Sequence, residues 1–379
     1  YLKEAYGSLV AFLRGWAIFF VSETASILAL ALVFSESLSA IVKMNAGEPL
    51  SLVAITLIAF VIIWLLTIIN MFGVYFSGIV QNVFSFAKVA AIGFIIFMAF
   101  GNEGSFSHLS GNFYSTDGFS WKMLDGIGEA LALAFFAFSG WEGATYIAEE
   151  VKKPRRNLPL SLLFGIGGVS LLYIATNSAY LYQVPFDSFI KSKIVSVDAM
   201  QNAMGVAGGI FISIAIMIST FGNVGTQILV KARTWHAMAR DGLFFSFASK
   251  LHKDYKTPNN SLLLQGIWAT VLLVCAAIAK LYSGSGKTMY VIIIKFFSAT
   301  GVIFSILTFV SVFVLRRKYP DAVRPYKAWL YPFSLIVIVL FYLFYLFTLL
   351  KSGLIGSLLG FGLTATGLVY YFGVVKRRM

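Results

Sequence analysis

Apolar residues run along this chain in long blocks rather than in alternation. Blocks of about twenty, the length an α-helix needs to cross about 30 Å of hydrocarbon, recur from end to end. Ten fall at 9–42, 51–70, 74–100, 128–149, 160–182, 205–231, 261–282, 289–315, 330–350 and 353–375. Membrane β-strands would be shorter and would alternate apolar with polar positions. The breaks between blocks carry Gly, Pro, Asn and charges, and no long polar linker separates them. The pattern predicts ten membrane-spanning helices in a single domain over 1–379.

Composition sharpens this picture. The chain is 59% hydrophobic and only 12% charged, about half the charged fraction of a soluble domain. A net charge of +13 is compatible with nucleic-acid binding, but the bases sit in short loops between apolar blocks, which makes them a topology signal instead. With the chain start on one side, that side collects Lys152, Lys153, Arg155 and Arg156, the bases from Lys231 and Arg233 to Lys256, the run Arg316, Arg317 and Lys318, and the terminal Lys376, Arg377 and Arg378. The positive-inside rule makes this side cytoplasmic. A single Cys, Cys275, excludes an internal disulfide. The first residue is Tyr, which places the start of the chain inside a longer protein or after processing or trimming, and no signal peptide precedes the first block.

Several candidate chemistries fall away. "SGSGKT" at 283–288 ends like a phosphate loop, but Leu281 stands where the first Gly is required and the loop lies on the outer side. The glycosylation triplet at Asn259 lies on the cytoplasmic side. His108, His236 and His252 are scattered and make no metal-ligand spacing, so no metal or other cofactor is expected. No nucleophile and base sit together on a defined turn, which argues against an enzyme.

The informative residues are ionisable groups inside the apolar blocks, each costing several kcal/mol unless paired or hydrated. They are Glu23, Glu36, Lys88, Glu142 and Lys295. Glu142 lies in "FFAFSGWEGATYIAEEVKKPRRNLP" at 135–159, between Gly140 and Gly143. Each Gly weakens a helix by roughly 1 kcal/mol relative to Ala, and Ser139 competes for backbone hydrogen bonds. Glycines alone would suggest close helix packing. With an acid beside them, they suggest a break near Ser139–Glu142 that lines a cavity, where freed N–H groups meet an anion and freed carbonyls a cation. Glu23, at mid-span, faces the bundle or a cavity. Glu36 lies near the outer end of the same span, where water reaches it. Lys88 either snorkels to the headgroups or stands as a fixed ammonium between helices in place of a metal cation. Lys295 either snorkels or neutralises Glu142 or Glu23. "WHAMARDGLFFSF" mixes bases and aromatics just past a span and predicts a short interfacial helix near 236–247.

The quoted stretch at 135–159 resembles the sixth-helix signature of amino acid–polyamine–organocation transporters: an apolar run, a glycine break, two acids, a basic–Pro pair, Arg and Leu-Pro. "ISTFGNVGTQILVKARTWHAMARDGLF" at 218–244 is similar to their eighth helix and the "ARDG" loop after it. "VLRRKYPDAVRPYKAWLYP" at 314–332 is similar to the loop after their tenth helix, and "EAYGSLVAFLRGW" at 4–16 to the start of their third. The four motifs come in the family's order and span nearly the whole chain. Their closest likeness is to the L-type, sodium-independent branch. The resemblance implies an all-α integral membrane protein with the LeuT-like fold of two inverted five-helix repeats. Ten of the family's twelve transmembrane helices, the third to the twelfth, are then present, and the first two are missing.

Residue by residue, the resemblance makes Phe136 the aromatic that gates a substrate site from outside. Ala137, Phe138 and Ser139 form the unwound backbone that receives the substrate amino group, Gly140 belongs to the same substrate site, and Trp141 and Glu142 start the second half-helix. Glu23 matches a third-helix position that faces the substrate side chain in some members, where L-type members often carry a base. Lys88 matches the fifth-helix Lys that stands in for sodium. Lys295 is the candidate counter-charge. The implied function is secondary active transport of amino acids by alternating access, sodium-independent, with exchange or proton coupling. The implied partners are an amino acid and the bilayer of a cell inner or plasma membrane, with no nucleic acid, and with the basic loops and the C-terminus cytoplasmic. Polyamine or organic-cation transport, or a receptor or scaffold built on the transport fold, are the alternatives. A mid-span Glu23 favours neutral or cationic amino acids, because two unscreened anions repel in a low-dielectric cavity, unless Lys295 neutralises it.

Overall fold

A computed structural model describes residues 1–72, 78–108, 121–141, 151–192, 194–282, 288–322, 324, 328 and 330–378. The chain folds into α-helices, and no strand occurs among the described residues. Ten helices answer the ten apolar blocks: α1 (Ser8–Ala46), α2 (Leu52–Met71), α3 (Gly78–Gly101), α4 (Trp121–Ala137), α5 (Pro154–Gln183), α6 (Val195–Arg240), α7 (Asn259–Tyr282), α8 (Met289–Lys318), α9 (Phe333–Ser352) and α10 (Leu354–Val375). Among the described residues, eight of them are long and apolar enough to cross a membrane. Shorter apolar stretches, Phe86–Gly101 and Gly126–Ala137, lie in α3 and α4.

The helices carry apolar side chains all round, as a lipid-facing bundle requires. α2 buries Ile62, Ile63 and Leu66 while exposing Leu57, Val61, Leu65 and Ile68. α1 forms the axis. Its 39 residues reach roughly 58 Å at 1.5 Å per residue, so the helix outruns the hydrocarbon layer. Ile27, Leu28 and Leu32 of α1 are fully buried against Ile63 and Leu66 of α2, Val224 and Ile228 of α6, Leu262 and Leu273 of α7, and Ile293 of α8. A second core joins α4 to α8 and α9 through Ala132, Ile294, Ala299, Tyr345 and Leu349. A third ties α3 to the start of α6 through Ile95, Val197, Met200 and Ile212.

α6 differs from its expected outline at both ends. It begins with a short helical lead from Val195, turns at Gly205, whose φ of +67° suits only a residue without a Cβ, and continues past Lys231 to Arg240. Lys231 and Arg233 are therefore helical residues, not loop bases. The expected interfacial helix near 236–247 is absent. The span helix runs through His236 and closes on Gly242 at φ +75°, where the Leu243 N–H bonds to the Met238 carbonyl (2.8 Å) and the Gly242 N–H to that of Ala239 (3.2 Å). This is a Schellman closure. Phe244, just past the turn, points inward and is fully buried with Trp235 of α6, Phe12, Trp16 and Phe19 of α1 and Tyr371 of α10. The aromatic–basic composition marked a buried corner, because the turn folds that segment back on the bundle.

Candidate functional site

α4 stops at Ala137, and a turn follows over 138–141. The Phe138 N–H still reaches the Ala134 carbonyl (3.0 Å), but that of Ser139 bonds instead to Phe136 (3.1 Å), whose carbonyl also accepts the Ser139 hydroxyl (2.7 Å). The side chain expected to compete with the helix thus takes a helical acceptor for itself. Gly140 follows at φ +100°, which favours glycine. The Ala137 carbonyl, released from the helix, accepts the Tyr173 hydroxyl of α5 (2.8 Å). Glu142, the acid of the expected break, lies outside the described residues.

Opposite this turn, α1 is wound as a π-helix over Ile18–Glu23. The wider turn loosens the carbonyl ladder, and two of its carbonyls accept side-chain donors. The Thr24 hydroxyl donates to Phe19 O (2.8 Å), five residues back, and the Trp268 indole of α7 donates to Phe20 O (2.9 Å). Such single π-turns often mark functional positions. Glu23 is the last residue of this one. The Ser22 hydroxyl before it is buried without a hydrogen-bond partner among the described residues.

A cavity of about 480 Å³ lies between the two irregular segments. α1 lends Ser22, Glu23 and Ser26, the α4 turn lends Phe136, Ser139, Gly140 and Trp141, and α6 lends Gln227 and Lys231. Phenylalanines 297, 304 and 309 of α8 complete an aromatic wall with Tyr342 and Tyr345 of α9. Phe136 stands half-buried in that wall, edge-on to Phe297 (5.6 Å) and Tyr290 (6.1 Å). Glu23 forms an ion pair with Lys231 at 2.5 Å, each side chain one-quarter exposed. Beside it, Ser26 donates to the Gln227 amide oxygen (3.2 Å).

Of the residues marked in the sequence, Glu23, Phe136, Ser139, Gly140 and Trp141 meet in this cavity. Ala137 and Phe138 face Tyr173 instead, the Phe138 ring edge-on to it at 5.0 Å. Lys88 is not in the lining; its ammonium donates to the Asn223 side-chain oxygen of α6 (2.9 Å). Lys295 does not neutralise Glu23. It pairs with Glu129 of α4 at 2.7 Å and reaches the Ser352 carbonyl at 3.4 Å, tying α4 and α9 to α8. The partner Glu23 takes is Lys231.

Sequence reasoning missed Glu129, Asn223, Gln227 and Lys231. The last three stand at i, i+4 and i+8 of α6, which puts them on one helix face. They receive Lys88, Ser26 and Glu23 in turn. That spacing was visible in "NVGTQILVK", but Lys231 stood at the end of its apolar block and read as the first loop base.

Comparison with known proteins follows the same line. A family model described as amino acid permease matches residues 1–371. The chain is 27% identical over 348 residues to b(0,+)-type amino acid transporter 1 of Mus musculus, covering 90% of this chain and 67% of that protein. It is 29% identical over 387 residues to large neutral amino acids transporter small subunit 2 of Mus musculus, covering 99% of this chain and 68% of the relative. It is 27% identical over 388 residues to the serine/threonine exchanger SteT of Bacillus subtilis (strain 168), covering 100% and 81%. The chain thus spans about two thirds of the length of these mammalian relatives.

Proposed function

The chain belongs to the amino acid permease family, and on that premise we propose that it is a sodium-independent amino acid exchanger working by alternating access. The observation that carries the reading is the cavity where the α4 turn faces Glu23 and Lys231. An amino acid offers an ammonium and a carboxylate, and the end of a broken helix presents backbone groups suited to both. The Phe136 carbonyl and the Ser139 hydroxyl lie at the turn, and the aromatic wall from α8 and α9 shapes the space for an apolar side chain. Ala137, Phe138, Gly140, Trp141 and Glu142 belong to the same proposed binding segment, with Phe136 as its outer gate.

Lys88 supports sodium independence. Its half-buried ammonium bridges α3 to α6, a position in which a fixed cation does the holding that a bound metal ion would do. The name of the Bacillus subtilis relative, an exchanger, supports exchange over net uptake. The basic loops and the C-terminal Lys376 and Arg377 face the cytoplasm in this reading.

The test uses the full-length protein in proteoliposomes. Uptake of labelled leucine or serine is expected only when the lumen is preloaded with an unlabelled amino acid, with no change when sodium is replaced by choline. Uptake driven by a pH gradient into empty vesicles would replace exchange with proton coupling. A steep sodium requirement would remove the role given to Lys88.

A further inference from the structure

We propose that the Glu23–Lys231 ion pair is the charge filter of the cavity, holding its α1–α6 wall neutral so that only amino acids with uncharged side chains are carried. The inference rests on the transport reading above and adds its substrate class. Both members line the cavity, 2.5 Å apart and only one-quarter exposed, on two helices that are packed along their length through the central core. Arg14 is the remaining charged side chain among the described lining residues, and its guanidinium lies 5.4 Å from the Phe304 ring centroid.

The argument is one of compensation. A substrate bearing a second ammonium must leave water beside a carboxylate whose charge Lys231 already answers. A substrate bearing a second carboxylate meets an ammonium that Glu23 already answers. Neither receives an attraction from this wall to offset its desolvation, so both are refused. Removing one member of a pair leaves the other charge unanswered in a partly dry site, and a complementary charge on the substrate then supplies the missing partner. Removing both, or exchanging them, restores neutrality. Glu23 alone left neutral and cationic amino acids both open; its pairing with Lys231 narrows that reading to the neutral ones.

Proteoliposome exchange is measured for leucine, lysine and glutamate with the full-length protein. Wild type is expected to carry leucine and to refuse lysine and glutamate. Lys231→Met should raise the lysine-to-leucine ratio on the order of tenfold, the scale of about 1.4 kcal/mol of differential binding. Glu23→Gln should raise the glutamate-to-leucine ratio instead. The double variant Glu23→Gln/Lys231→Met and the reversed pair Glu23→Lys/Lys231→Glu should both return to neutral selectivity. The reversed pair also keeps the α1–α6 tie, so it decides the matter if a single variant fails to reach the membrane. Wild-type transport of lysine or glutamate at the leucine rate, unchanged ratios in folded single variants, or entry of charged substrates through the reversed pair would each overturn the filter while leaving transport itself intact. A wild-type protein that exchanges none of the three would instead sink the transport reading.

Discussion

At the residue scale, the cost of burying charge made the site partly legible. Glu23, Glu142 and Lys88 stood out because an ionisable group within an apolar block must be answered. The side chains that answer them did not stand out, because partnership between helices leaves no mark in one dimension. Lys88 shows what the partner adds. Among the described residues its ammonium is held by the Asn223 oxygen at 2.9 Å, a contact that asks for a compact donor on a fixed stem. A planar guanidinium of larger size does not fit the same place. Lys88→Ala and Lys88→Arg are therefore both expected to lose most exchange while the protein still inserts and folds, as read by membrane yield and gel-filtration profile. Near-normal exchange by the Arg variant would show that the charge reaches the headgroups. Phe136 makes a different kind of contact. Its ring leans on Phe297 and Tyr290 at the cavity edge, so Phe136→Ala should lower the maximal exchange rate more than the apparent substrate affinity. The opposite pattern would make the ring a pocket wall rather than a gate.

At the scale of elements, the ten apolar blocks predicted ten helices, because hydrocarbon thickness fixes the minimum length of a span. Their ends were harder to read. α6 outran its apolar block on both sides, since its lead before Gly205 and its last turns after Lys231 pack against protein and need no lipid-facing sequence. Glycines carry a second message that composition hides: which helices touch backbone to backbone. A Cβ on Gly128 of α4 would lie 2.6 Å from the Thr348 carbonyl oxygen of α9, and backbone cannot step aside as a side chain can. The same atom on Gly126, two residues earlier, meets nothing within 4 Å. Gly128→Ala should thus destabilise by about 1–3 kcal/mol, and Gly126→Ala should be neutral or stabilising by up to about 1 kcal/mol. Thermal unfolding in detergent measures both. A lower melting temperature is expected only at Gly128, and exchange should fall with it, because α4 carries the turn that faces the cavity. Equal shifts would mean that α4 and α9 part without cost.

At the scale of the molecule, the basic segments could be assigned to one side only by counting along the chain, and the fold brings them physically together. Lys318 at the end of α8 donates to the Glu4 carbonyl (2.9 Å), and the Tyr6 hydroxyl donates to Leu307 O (2.8 Å), so the chain start sits at the last turns of α8. Ser8 meets Tyr371 of α10 (2.7 Å), and the Tyr370 hydroxyl bonds to Phe244 O (3.0 Å), past the end of α6. The bases at 250, 253 and 256, at 316–318 and at 376–377 therefore share one end of the bundle with the chain start. Such a concentration resists translocation across a membrane. With the helices locked to one another it is expected to orient the whole bundle: no single span can invert without dragging a charge cluster through hydrocarbon, at several kcal/mol per charge. Glu48 follows α1 at the opposite end and is exposed, as is Lys253 in the basic loop. With Cys275 first replaced by Ser in the full-length protein, a membrane-impermeant maleimide applied to intact cells should label Glu48→Cys and leave Lys253→Cys unlabelled until the cells are opened. Labelling of Lys253→Cys from outside would reverse the orientation. It would also make the cavity's Arg14 end, where the chain start meets α8, the external mouth and not the expected cytoplasmic one.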